Sequence, residues 1–137
     1  MATSIINKIP FFADLGIEDT LAIMGCMKQV SYSRGEHIFL EGDAADHLYI
    51  IDQGTVNIYK GGGNRATTIL ATLNPGDFFG EMGLLDGLPR SAGAQVATDC
   101  RLMRLSGRDF EISIKISPHI ARNVMRSLAM RIRKNNK

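Results

Sequence analysis

A chain of 137 residues, 45% hydrophobic and 22% charged, has the size and composition of one globular domain on one core, which excludes a second folded domain and the disordered, collagenous and coiled-coil classes. Its net charge of +2 is too small to signal nucleic-acid binding by itself. No apolar run approaches the length of a membrane span, and "MATSIINKIPFF" lacks the basic-then-apolar layout of a secretory signal, so a soluble, cytoplasmic protein is expected.

Ile17, Leu21, Met24 and Met27 recur near helical spacing and predict an amphipathic helix over about 17–27. The period then changes. "KQVSYS", "EHIFLEG", "HLYIIDQG", "TVNIYKGG", "ATTILATL", "AGAQVATD" and "CRLMRLSG" are short runs rich in Val, Ile, Tyr and Thr, broken by Gly, Asp, Asn or Pro. They predict an all-β barrel or jelly roll over about 28–105, with tight turns at Asp52-Gln53-Gly54, Gly61 to Asn64 and Asn74-Pro75-Gly76. "GGGNRA", residues 61–66, matches a form of the dinucleotide fingerprint, but a β-like run follows it instead of a helix, so it reads as a hairpin turn. Helices return at about 107–116, behind a capping pair Ser106 and Asp109, and at about 118–134, where Ser117-Pro118 provides an N-cap and a proline at the first helical position.

The last helix carries Ile120, Val124, Leu128 and Ile132 at steps of four, a stripe that either folds back on the β structure or meets a second copy. Arg122, Arg126, Arg131, Arg133, Lys134 and Lys137 follow one another with no acid among them. A solvated face that complements the negative end of the helix dipole explains that run better than a DNA-binding arm. Cys26 and Cys100 form no CxxC pair and read as two reduced, packed thiols. His37, Glu41 and His47 lack the spacing of a metal site, and no catalytic motif is present, so neither a metal nor an enzyme activity is expected.

The most informative stretch is "FFGEMGLLDGLPRSAG", residues 78–93, which places one carboxylate, Glu81, and one guanidinium, Arg90, among Phe, Met, Leu, Gly and Pro. Gly80 to Leu85 suits about one helical turn, whose leading amides favour an anion, and Gly80 and Gly83 offer no side chain to block close approach. Arg90, held by Pro89, brings a planar fork of donors suited to a phosphate, and Glu81 brings acceptors suited to a sugar hydroxyl. Together they describe a ribose phosphate. A structural ion pair between them is the weaker reading, because desolvation offsets the attraction of a buried pair.

Phe79-Gly80-Glu81, Leu84-Leu85 and Pro89-Arg90-Ser91-Ala92 resemble the phosphate-binding cassette of the cyclic-nucleotide-binding domain family, and the resemblance extends to "EGDAADHLYIIDQGTVNIY" and "LNPGDFFGE". It is strongest to the sensor domain of bacterial catabolite-activator-type regulators. It implies a mainly β fold, a β jelly roll flanked by an N-terminal helix and two C-terminal helices, as one domain over 1–137 with the cassette at 79–92. It also implies that Arg90 pairs with the cyclic phosphate, that Glu81 accepts from the ribose 2′-hydroxyl, and that the stretch Gly80, Glu81 and Met82 adds backbone contacts. Ser91 and Ala92 would contact phosphate or base, Leu73, Leu84 and inward members of "GAQVA" would floor the pocket, and Asn135 and Asn136 would reach the purine edge. Ser91 leans the choice of ligand to cAMP over cGMP. The resemblance further implies a regulatory domain that transmits occupancy through its C-terminal helix, a possible homodimer through that helix, and an effector outside this chain, with no direct reading of nucleic acid. The competing reading is a ligand-free domain of the same fold that serves as an interaction or dimerisation module.

Overall fold

The β-branched and aromatic runs become eight strands in two antiparallel sheets. The computed structural model describes residues 6–135, the side chains of residues 131 and 135 excepted. One sheet has the order β1 (Lys28–Tyr32), β8 (Cys100–Ser106), β3 (His47–Gln53), β6 (Phe78–Phe79). The other has the order β2 (His37–Phe39), β7 (Gly93–Val96), β4 (Val56–Gly62), β5 (Arg65–Leu73). Together they make the expected jelly roll. Period-2 alternation sends Tyr49, Ile51, Leu102 and Cys100 from the first sheet, and Val56, Ala94 and Val96 from the second, into one apolar layer between them. β3 is buried on both faces, with Leu48 and Ile50 as enclosed as Ile51, so its sequence reads as a continuous apolar run instead of an alternating one. β5 is an exposed edge strand, and "GGGNRA" is the β4–β5 hairpin, in which Gly62 pairs with Arg65.

β6 was not anticipated. It is two residues long, too short for any period, yet it pairs Phe79 with Tyr49 and stacks their rings at 5.2 Å and 13°. Burial pushes the Tyr49 hydroxyl up to about 12, with Tyr32 and Asp46 adding to the effect. A tyrosine that holds its proton longer in the folded state contributes stability that is intact below pH 10 and is lost as pH rises towards 12. We expect about 2 kcal/mol of stability to disappear over that window in alkaline denaturation, and Tyr49→Phe to flatten the profile there; an unchanged slope in the variant contradicts the assignment.

The helical segments form a second unit, from residues up to 27 and from 108 onward. It contains a 3-10 turn at Pro10–Phe12, α1 (Ile17–Cys26), most of α3 (Gly107–Ile116) and α4 (Pro118–Asn135); α2 (Met82–Asp86) lies in the other unit. Phe11, Phe12 and Phe110 pack ring on ring with centroids 5.7 to 6.5 Å apart, and Ile23, Ile120 and Val124 are buried in the same unit. Asn123 ties α4 to the 3-10 turn by donating from Nδ2 to the carbonyls of Phe11 (3.3 Å) and Ala13 (2.9 Å). Ser117 caps α4, its hydroxyl accepting from the Ile120 amide at 3.3 Å.

Three expectations about side chains are corrected here. The inward face of α1 carries Thr20, Ile23 and, just beyond its end, Met27, while Ile17 and Leu21 are 66% and 54% exposed. A buried threonine is tolerable because its hydroxyl donates to the Gly16 carbonyl at 3.0 Å, which frees the helix to rotate its more apolar edge outward. The α4 stripe does not stay together: Ile120 and Val124 are buried within the chain, whereas Ile132 is 60% exposed. Of the two thiols, Cys100 is packed, donating to the carbonyls of Thr98 and Thr55, and burial pushes its pKa up, but Cys26 is exposed. Among the described residues no helix is long and apolar enough to cross a membrane.

Candidate functional site

Immediately after β6 the chain turns through Gly80 at φ +86°, a left-handed conformation that favours glycine. It then forms α2 (Met82–Asp86) and leaves it through Gly87 in the left-handed conformation, whose amide donates back to the Gly83 carbonyl. Arg90 follows. Its backbone is clamped on both sides, its amide donating to the Asp43 carbonyl and its carbonyl accepting from the Gly42 amide, both at 2.8 Å. Arg90 as a whole is 6% exposed. Nη1 donates to the Gly80 carbonyl and Nη2 to the His47 carbonyl, each at 2.7 Å, and the guanidinium carbon sits 4.1 Å above the centre of the Phe39 ring.

Two glycines that promised room for a ligand in fact make room for the protein. A Cβ on Gly80 would lie 2.9 Å from Arg90 Nη1 and 3.0 Å from the His47 carbonyl. A Cβ on Gly83 would collide with that of Ala45 and lie 3.0 Å from the Leu88 carbonyl. These absent side chains set the position of the guanidinium and of α2.

The hydrogen bonds of Arg90 run to neutral carbonyls, and its Nε has no hydrogen-bond partner among the described residues although it is shielded from solvent. Burial pushes the guanidinium below its ordinary pKa, while Tyr49, Asp46, Glu81 and Asp43 pull it back; arginine stays cationic regardless. The site therefore holds a preorganised, desolvated cation, an arrangement that favours a small anion.

That cation borders a cavity of about 360 Å³, within the range of small-molecule sites. Gly80, Glu81, Met82, Arg90, Ser91 and Ala92 all line it. Glu81 is itself buried. Phe39, Ile58, Phe79 and Leu88 complete the apolar wall and were not assigned to it from sequence. The available signal was partial: Ile58 stands two residues from the buried Val56 on β4 and so shares its inward face, which places it inside the roll without placing it in the cavity.

Other residues named from sequence lie elsewhere or beyond the described side chains. Leu73 does not line the cavity; as the last residue of β5, paired with Val56, it packs against the core between the sheets. Leu84 points to Gly107, where an added Cβ would meet its Cδ2 at 2.9 Å. In "GAQVA", Ala94 and Val96 belong to the core between the sheets. Asn135 is the final residue of α4 and its side chain is not described, and Asn136 lies outside the described residues. Of the three residues weighed as metal ligands, His37 packs on the Tyr59 ring, Glu41 faces Arg65 at 3.7 Å, and His47 Nδ1 is 2.9 Å from the Asp46 carboxylate.

Residues 29–115 match a family model described as the cyclic nucleotide-binding domain. The chain is 36% identical over 126 residues to the cyclic AMP receptor protein of Thermus thermophilus, an alignment that covers 90% of this chain and 57% of that protein. Among solved structures it resembles the N-terminal domain of a transcriptional regulator from Streptomyces coelicolor A3(2), with a TM-score of 0.84, 30% identity and coverage of 96% and 92% of the two chains. It also resembles the Thermus thermophilus catabolite activator protein, with a TM-score of 0.82, 33% identity and coverage of 93% and 60%. The chain thus spans little more than half the length of the curated relatives it matches.

Proposed function

This chain belongs to the cyclic nucleotide-binding domain family, and from that premise we propose that its cavity binds a cyclic nucleoside monophosphate, cAMP in preference to cGMP, as a non-catalytic regulatory domain. The observation that carries the reading is the buried Arg90 guanidinium, held by two neutral carbonyls, at the wall of an open cavity. A cyclic phosphate is the anion whose size and charge suit that cation, and Glu81 on the same wall suits the ribose 2′-hydroxyl. Ser91, Ala92 and the backbone of Gly80 and Met82 complete the grip on phosphate and sugar.

Binding energy becomes a signal only if the ligand contacts two arrangements of the chain unequally. A tenfold shift needs about 1.4 kcal/mol of such difference, which one charge-assisted hydrogen bond supplies. In this reading residues 1–137 act as one cytoplasmic sensor domain, α3 and α4 carry its state outward to an effector beyond this chain, and α4 mediates self-association. Nucleic acid is not read directly.

Calorimetric titration with cAMP and cGMP tests the reading, cAMP binding more tightly; binding of neither ligand refutes it and leaves a ligand-free interaction module. Glu81→Gln keeps the shape and removes the charge. It is expected to weaken cAMP about tenfold, on the scale of one hydrogen bond to a charged group, and to weaken 2′-deoxy-cAMP much less. Equal losses for both ligands remove Glu81 from the ribose.

A further inference from the structure

An irregularity in β2 brings Phe39 to Arg90. His37 pairs with Gln95 and Phe39 with Ala94, so two steps along β2 match one step along β7, a β-bulge. Ile38 and Phe39 accordingly both pack against the core between the sheets, where a regular strand sends one of two consecutive residues outward. The ring turned inward in this way is braced by two others. It tilts against Tyr49 and Phe79, each with its centroid 6.0 Å away, and those two rings stack on each other. The Arg90 guanidinium carbon lies over its face, 4.1 Å from the ring centre.

The residues that follow Phe39 grip the backbone of the same arginine. The Gly42 amide donates to the Arg90 carbonyl, and the Arg90 amide donates to the Asp43 carbonyl. The Asp43 carboxylate accepts from the Leu40 amide at 2.8 Å, which closes the turn between the ring and the clamp. One stretch, residues 39–43, thus holds Arg90 by its main chain and by its guanidinium.

A ring is suited to that position. The N–H donors of a guanidinium all lie in its plane, where oxygen acceptors meet them, and Nη1 and Nη2 donate there to the Gly80 and His47 carbonyls. A ring under the plane attracts the cation through its negative face and occupies no donor. Burial works against the charge, and both carbonyls are neutral, so a guanidinium without the ring gains by turning out into the adjoining cavity.

We propose that Phe39 is a positioning residue for the anion site: the β2 bulge lays its ring under Arg90, and the guanidinium then stands in its binding position before a ligand arrives. Affinity falls in proportion when the binding-competent state is populated only in part, and by this route the ring acts on the ligand through Arg90. The inference rests on the proposed binding of a cyclic nucleotide and names what keeps that site ready.

The test replaces Phe39 in the full chain by mono-, di- and trifluorophenylalanine, which keep the shape of the ring and progressively drain its negative face. Affinity for cAMP, measured by calorimetry, is expected to fall with each fluorine and to reach about a tenfold loss at the third. Phe39→Tyr, which keeps an electron-rich ring, is expected to stay within about threefold of the parent, and Phe39→Leu to lose about as much as the trifluoro ring. In the ligand-free protein the Arg90 Nε–H signal, identified by its loss in Arg90→Lys, is expected to become more mobile along the same series by nitrogen relaxation. Affinity that stays level across the series in a chain whose parent binds cAMP overturns the positioning role alone. Affinity that falls while the Arg90 signal stays rigid makes Phe39 a direct ligand contact and overturns it as well. A parent that binds neither cAMP nor cGMP fails the nucleotide reading itself, and the positioning role falls with it.

Discussion

Arg90→Ala is expected to lower affinity for cAMP by about 3 kcal/mol, more than a hundredfold, while leaving the ligand-free protein about as stable as the parent. The two halves of this result have separate causes. Binding loses its buried cation, and hydrogen bonds to charged groups are the strong ones. The empty fold loses two hydrogen bonds, to the Gly80 and His47 carbonyls, and the stacking on Phe39. It also sheds a desolvated charge whose Nε has no hydrogen-bond partner among the described residues, and removing such a charge offsets much of what is lost. Arg90→Lys is not expected to rescue binding, because a compact ammonium lacks the planar fork that spans the Gly80 and His47 carbonyls while facing an anion. Calorimetry and thermal melts with and without ligand measure both halves. A folded Arg90→Ala that keeps its affinity removes the site; a variant that no longer folds shows that the guanidinium holds the roll together, and Arg90→Gln, which retains a donor for a carbonyl, then carries the binding test.

The parts of this arrangement that were legible in sequence are those fixed by local chemistry. Seven strands were visible because Val, Ile and Tyr alternate between turn residues, and α4 was visible from Ser117-Pro118. Glu81 and Arg90 stood out because charge is costly in so apolar a stretch. What was missed depends on partners distant in sequence. β6 is defined by Tyr49 and Ile50 across the ladder and has no pattern of its own. Leu73 and Ile58 are both apolar strand residues packed against the core on the same face of their sheet, and Ile58 alone of the two also borders the cavity, because the cassette lies over its end of the sheet, which no strand pattern encodes. The α1 stripe misled because one satisfied threonine hydroxyl outweighed two exposed aliphatics, and hydrophobic spacing carries no information about hydrogen bonds.

The second large effect is expected at Gly83, which lines the cavity but is assigned no ligand contact. Its φ lies outside the left-handed range, so a side chain there meets no backbone strain and the whole cost is steric. A Cβ collides with that of Ala45 and presses on the Leu88 carbonyl, and α2 cannot retreat without moving Glu81 at its start. Gly83→Val should therefore cost about 3 kcal/mol in stability, the upper end for an overpacked site, and should weaken cAMP together with 2′-deoxy-cAMP, because the cassette shifts as a body. The smaller Gly83→Ala gives the sharper test: combined with Ala45→Gly, which removes the atom it strikes, it should be more stable than the two single changes added together predict. That coupling, read as a double-mutant cycle from thermal melts, is positive only if α2 packs on the 43–46 loop through these two positions. Strict additivity would mean that the short helix has another way to yield, and that the placement of Glu81 does not depend on this contact.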